Sequence, residues 1–205
     1  MRTEETVAHL VNRGYDDALL QEDEPGSIPE GESVVEGIKV WVPGPSAYWV
    51  CRSLSGTVSA IHTAGLHQKD YRVYQDHSKP WLPLFYGSRN DSEMLVVGKP
   101  VILVEGVYDR VAMKVVLPEY PTFARLTKGV GQPLRLMLMR HAKAVILAFD
   151  DDEPGQKATE RAVRDLEGLE VIEFHLSAKD PSEYLKREGR EKMRARLLPQ
   201  LDLLI

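Results

Sequence analysis

Cysteine is almost missing from the 205 residues: Cys51 is the only one. A disulfide framework within the chain and a zinc site built from cysteines are both excluded. No apolar stretch approaches the ~18 residues that a membrane-crossing helix needs. The opening Met-Arg-Thr-Glu-Glu lacks the basic-then-apolar layout of a signal peptide. The expectation is a soluble, cytoplasmic protein with no membrane partner. Internal repeats and low-complexity tracts are absent as well. So is a positive net charge: 31 acids against 26 bases give −5, which taken alone argues against a polyanionic partner.

The placement of charge tells more than the sum. Residues 1–38 hold ten acids and two bases, Arg2 and Arg13. Residues 39–90 hold six bases (Lys39, Arg52, Lys69, Arg72, Lys79, Arg89) and two acids, with His62, His67 and His77 nearby. A local basic stretch of this kind is either a solvated mixed surface or the footprint of nucleic acid. The histidines have no regular metal-ligand spacing, so no role is assigned to them.

Residues 4–20 read as helical, with Val7, Leu10 and Val11 at helical spacing and Gly14 as a C-cap. The acidic, Gly- and Pro-bearing residues 21–37 read as a loop or linker. Short alternating runs follow at 38–42, 48–52, 57–62 and 71–74, separated by turn residues, and predict a small antiparallel β unit. Its aromatics Trp41, Trp49, Tyr71, Tyr74 and Trp81 suit either a core or base stacking. After Lys99-Pro100 the rhythm becomes strand–helix–strand: strands at 101–104, 122–126, 145–149 and 169–176, helices at 107–117, 132–141, 155–167, 182–188 and 191–198. Such alternation predicts a mostly parallel sheet flanked by helices. The fold class is thus α/β, a small antiparallel α+β unit over 1–98 preceding a parallel-sheet domain at 99–187 and a C-terminal helical segment at 188–205.

Two of the strands end alike. Val-Ile-Leu-Val runs into Glu105-Gly106, and Ala-Val-Ile-Leu-Ala-Phe runs into Asp150-Asp-Asp152-Glu-Pro-Gly155. Asp180 opens Lys-Asp-Pro-Ser-Glu-Tyr-Leu. Each acid alone has a plain structural explanation as a turn or helix cap. Together, at one end of one sheet, they repel unless a cation neutralises them, and hard cations such as Mg²⁺ take oxygen ligands of this type.

Val-Glu-Gly-Val-Tyr-Asp at 104–109, Phe-Asp-Asp-Asp-Glu-Pro-Gly-Gln-Lys-Ala at 149–158 and Lys-Asp-Pro-Ser-Glu-Tyr-Leu-Lys-Arg-Glu-Gly at 179–189 resemble the TOPRIM domain of DnaG-type bacterial primases. Val-Ala-His-Leu-Val-Asn-Arg-Gly at 7–14 resembles, more faintly, the helix that opens primase cores. The zinc ribbon and the C-terminal helicase-binding domain of cellular primases have no counterpart in this sequence, so the expectation is a stripped polymerase core of the kind a phage or mobile element carries, with no zinc. The resemblance implies a nucleotidyltransferase making short RNA primers on single-stranded DNA from nucleoside triphosphates, with a replicative helicase as possible partner. The cofactors implied are Mg²⁺ or Mn²⁺, two ions held by Glu105, Asp150, Asp152 and Asp180, the first three catalytic. Asp109 takes an outer-sphere or helix-start role. Lys69, Arg72, Lys79, Lys128 and Gly129 are candidates for phosphate or template. One departure stands out: the family's second Asp, two positions after Asp180, is Ser182 here. The same acids would also serve a TOPRIM nuclease or RNA maturase, and a non-catalytic nucleic-acid-binding module is the third reading.

Overall fold

Thr3 and Asp16 begin two short helices where the apolar spacing suggested one. In the computed structural model, which describes residues 2–82, 84–96 and 98–201, the Thr3 hydroxyl accepts from Thr6 N and starts α1 (Glu4–Asn12). Gly14, at φ +97°, turns the chain just past its end. Asp16 accepts from Leu19 N and starts α2 (Asp17–Asp23). The stretch read as a linker is also structured: it holds the end of α2 and the strands β1 (Gly26–Ile28) and β2 (Gly31–Val35). Turn residues at both ends of these short strands masked them.

The strands β3 (Ile38–Val42), β4 (Ser46–Arg52), β5 (Val58–Gly65) and β6 (Tyr71–Gln75) fall where alternation placed them. They form a four-stranded antiparallel sheet in the order β1-β4-β5-β6 and a β2-β3 hairpin. Trp49 is fully buried in this sheet, whereas Trp41, Tyr71 and Trp81 keep about half or more of their surface exposed.

Next come β7 (Phe85–Tyr86), α3 (Arg89–Val96), β8 (Val101–Val104), α4 (Val107–Val116), β9 (Thr122–Arg125), α5 (Gln132–His141), β10 (Val145–Ala148), α6 (Glu153–Asp165), β11 (Val171–Glu173), α7 (Pro181–Glu188) and α8 (Arg190–Leu201). The final strand is shorter than 169–176, and α3 and β7 have no counterpart in the sequence reading. The expected C-terminal segment is helical through Leu201; its residues 202–205 lie outside the described residues.

The second sheet has the order β11-β10-β8-β9-β7, parallel except for β7, which pairs antiparallel to β9. Thus the edge strand of this sheet precedes the boundary expected at Lys99. Every residue of β8, β9 and β10 is buried, as a sheet covered on both faces requires. Ile102, Val104, Ile146 and Ala148 share one core with Val111 of α4, Tyr184 of α7 and Met193 of α8. Val101, Leu103, Val145 and Leu147 share the other with Leu134 and Leu138 of α5 and Ala162 of α6.

A buried ionic network joins the N-terminal helices to this sheet. Arg110 on α4 has no exposed side-chain surface. Its Nη1 donates to both Asp23 oxygens at 2.7 Å, its Nε to the Thr122 carbonyl at 3.0 Å, and its Nη2 to Asp91. Lys114 donates to the other Asp91 oxygen at 3.0 Å. Tyr15 donates to Asp23 and in turn accepts from Trp49 Nε1, both at 3.0 Å.

Candidate active site

The strand order decides where the acids meet. From β8 the chain passes through α4 to β9 on one side, then back through α5 to β10 on the other. This reversal opens a crevice beyond the carboxyl ends of β8 and β10, where open α/β sheets bind ligands. Glu105 follows β8 directly, and Asp150 follows β10 after Phe149. The Asp151 amide donates to the Lys179 carbonyl at 2.7 Å, tying the loop after β10 to the loop that carries Asp180.

Asp152 and Asp180 cap the helices that follow them. One Asp152 oxygen accepts from Gly155 N at 2.9 Å, and one Asp180 oxygen from Glu183 N at 2.6 Å. Gly155 is required here: a Cβ on it would lie 2.0 Å from the Asp150 carbonyl oxygen. The first turn of α6 can therefore sit directly on the acidic loop.

The concentration of charge shows in proton affinities. Burial, then Glu105, Asp180 and Asp152, push the Asp150 carboxyl up to about 6. Burial, then Asp180 and Asp150, push Asp109 up to about 8, against the backbone N–H groups of Ser182 and Gly106. Ser182, where the resembled family carries an acid, thus supports the neighbouring carboxylate through its backbone.

These groups face a cleft of about 1140 Å³ between the two sheets. Glu105, Asp109, Asp150 and Asp180 line its acidic side, and Arg13, His62, Lys69 and Tyr71 stand on the antiparallel-sheet side. Lys128 lines it as well. Asp152 contributes charge to Asp150 but does not itself line the cleft. Arg72, Lys79 and Gly129 are not brought in. Arg72 donates to Asp70 at 2.9 Å and lies over the Trp41 ring, while Lys79 donates to Asp76 at 2.6 Å. The Gly129 carbonyl accepts from Thr127 within its own loop.

Five cations that the sequence reading passed over also border the cleft: Arg13, Arg125, Lys157, Arg161 and Lys186. Arg125 had a readable signal, since it ends β9 as Glu105 and Asp150 follow β8 and β10. The others had none, because basic residues on amphipathic helices usually face water. His62, assigned no role, is buried behind Tyr71 with its ring stacked at 6.4 Å, and burial lowers its pKa to about 4.

The residues present fit a divalent cation. Among the described residues no three acidic, histidine or cysteine side chains converge into a closed cage. Mg²⁺ does not ask for one, because it keeps several waters and takes one or two carboxylates plus substrate phosphates. The Glu105 side chain is 30% exposed at the cleft although its Oε1 is turned to Arg125, and the mutual repulsion around Asp150 is the kind a cation relieves.

A family model described as Toprim-like matches residues 102–185. No curated protein matches the chain in sequence. Several solved structures match it in fold. The primase of Aquifex aeolicus, comprising zinc-binding and RNA polymerase domains, superposes with a TM-score of 0.77 at 19% identity, over 96% of this chain and 56% of that one. A DnaG primase catalytic domain bound to single-stranded DNA gives 0.77 at 18% identity, over 96% and 74%. The primase fragment of the bacteriophage T7 primase-helicase protein gives 0.66 at 18%, over 91% and 72%. This chain therefore spans little more than half of the Aquifex chain. Among the described residues no helix is long and apolar enough to cross a membrane. Residues 102–185 thus form a Toprim-like domain, and the chain has the fold of a DnaG-type primase catalytic core.

Proposed function

We propose that the protein is a DNA primase core that makes short RNA primers on single-stranded DNA from nucleoside triphosphates. One observation carries this reading: a cluster of strand-end carboxylates faces basic and aromatic side chains across a single cleft. A nuclease would need the same carboxylates, but the opposed wall suits the holding of both a template and a nucleotide.

In this reaction a 3′-hydroxyl attacks an α-phosphate and pyrophosphate leaves. Glu105, Asp150, Asp152 and Asp180 would hold divalent ions, which when bound lower the pKa of the attacking hydroxyl and neutralise charge on the departing phosphates. Lys128, Arg161 and Lys186, cations on the cleft rim, would receive those phosphates. Lys69 and Arg13 would take backbone phosphates of the template. Tyr71, about half exposed and backed by the His62 ring, offers a face on which a base can stack. Arg72 over Trp41 extends the same sheet with a cation–aromatic pair. A structurally similar DnaG domain holds single-stranded DNA, and another similar structure comes from a primase-helicase protein. The first supports a template partner, and the second a helicase partner.

The test is incubation with single-stranded DNA, Mg²⁺ or Mn²⁺ and labelled ribonucleotides. Primers should form, and Asp150→Asn or Asp152→Asn should reduce them by more than the ~10–100-fold that loss of an outer-sphere partner costs. Metal-dependent shortening of the DNA without incorporation would instead make the protein a nuclease. DNA binding with neither activity would make it a scaffold.

A further inference from the structure

We infer that Arg125 is a resident counter-ion of the carboxylate site: it occupies one face of Glu105 in place of a further cation and sets how tightly the site takes up divalent ions. The inference rests on the metal-site reading above and concerns a residue that reading does not use.

Arg125 ends β9, and β8 lies between β9 and β10. Its guanidinium spans the strand ends. Nη2 lies 3.0 Å from Glu105 Oε1, beyond β8, and the guanidinium carbon sits 4.1 Å over the Phe149 ring, beyond β10. Nη1 donates to the Lys128 carbonyl at 3.1 Å. The side chain is 4% exposed, so water screens its charge little.

The pair is close but not built as a structural clamp. Glu105 Oε1 and Arg125 Nε are both buried without an aligned hydrogen-bond partner. In the Arg110 network, by contrast, Nη1, Nη2 and Nε all donate. An ion pair held by proximity, an aromatic ring and one backbone carbonyl, with hydrogen-bonding capacity left over at Nε and Oε1, stabilises charge while fixing geometry less than the Arg110 network does.

The consequence for a metal follows from counting oxygens. The Glu105 side chain is 30% exposed, and the oxygen facing Arg125 is not part of that exposed surface. Asp152 and Asp180 each commit one oxygen to a helix N-terminus. Three of the four acids therefore bring a single oxygen each, and a fixed positive charge stands beside one of them. A cation entering the site meets both a reduced ligand set and a like charge.

The experiment is a Mn²⁺ titration of the full chain, with free Mn²⁺ read by electron paramagnetic resonance to give number bound and affinity. Arg125→Gln should bind Mn²⁺ about 10-fold more tightly or take up an additional ion, an effect of the size that neighbouring groups exert on metal sites. Arg125→Lys should stay near wild type. The gain should vanish in the Arg125→Gln, Glu105→Gln double variant. Equal binding by a folded Arg125→Gln and the wild type overturns the inference alone. Absence of Mn²⁺ binding in wild type and variants alike overturns the metal-site reading and the inference with it. Should Arg125→Gln fail to fold, Mg²⁺ titration of the wild type, followed at the Arg125 Nε–H resonance by nuclear magnetic resonance, decides. That signal must move as the site fills, and a stationary signal overturns the inference.

Discussion

Asp23 and Asp91 lie deeper in the protein than Asp109 and Asp150, yet only Asp23 shares their upward push, from burial that Arg110 does not fully offset; Asp91 is held down. Both have fully buried side chains, and both rest on Arg110, with Lys114 added at Asp91. Burial pushes the Asp91 carboxyl up, but Arg110 and Lys114 outweigh it and hold it below its ordinary range. Around the cleft, Glu105, Asp109, Asp150 and Asp180 gather near the buried Arg125 guanidinium, and Asp109 and Asp150 are driven upward. Burial alone does not separate a structural carboxylate from a functional one. The local balance of charge does, because unmatched carboxylates persist only where something else arrives to neutralise them.

Breaking the matched region should have the largest effect. Arg110→Met leaves Asp23 and Asp91 buried with Lys114 as the principal remaining cation. Removal of one partner from a buried pair costs about 3–5 kcal/mol, a large share of the ~5–15 kcal/mol that holds a typical domain together. Urea unfolding should show it, and a loss below about 1 kcal/mol would mean that the network does not carry the joint between α2, α3 and α4.

Asp91 should respond to pH with a sign opposite to that of the cleft acids, while Asp23, raised by burial, adds to theirs. Asp109 and Asp150 titrate in the folded chain near 8 and 6, above their ordinary 3.8. The folded state therefore binds more protons between pH 4 and 8, and stability falls as pH rises through that window. Asp91 is depressed, so its contribution is present above pH 4 and is lost as pH falls below it. His62, lowered to about 4, adds stability as pH rises from 4 to 6.5, so the cleft acids must be isolated by subtraction. In the presence of chelator, wild type should lose stability relative to Asp109→Asn between pH 5 and 8. The difference should be on the order of 2 kcal/mol, less than the full shift implies because Asp109 keeps some surface open to the cleft. Saturating Mg²⁺ should shrink it. A flat difference would show that these acids do not share their charge.

Most of this contrast was legible before any coordinates. The runs ending in Glu105 and Asp150 announced buried parallel strands with acids beyond them, because a strand covered on both faces has no polar residue until it reaches the rim. Asp152 and Asp180 were readable both as caps and as site residues, and the structure gives each a cap. Arg110, Asp23 and Asp91 were not legible, since their partners lie 19 to 87 positions apart and each reads singly as an exposed charge. For Arg72 and Lys79 the missing information was equally local in origin: acids two and three positions away hold them out of the cleft.

The smallest expected effect has the most telling sign. Asp150→Asn removes a charge that burial, Glu105, Asp180 and Asp152 all oppose. Without metal at pH 7, the variant should be more stable than wild type by on the order of 1 kcal/mol, discounted from the shift because the side chain is partly open to water. With Mg²⁺ the order should reverse, because a ligand that binds only the folded state stabilises the wild type by mass action. Thermal melts of both proteins, with chelator and with Mg²⁺, provide the comparison. A substitution that abolishes primer synthesis while raising metal-free stability would identify Asp150 as an acid kept at the expense of the fold. Destabilisation in chelator would instead place Asp150 with Asp23 and Asp91, among the acids that hold the structure together.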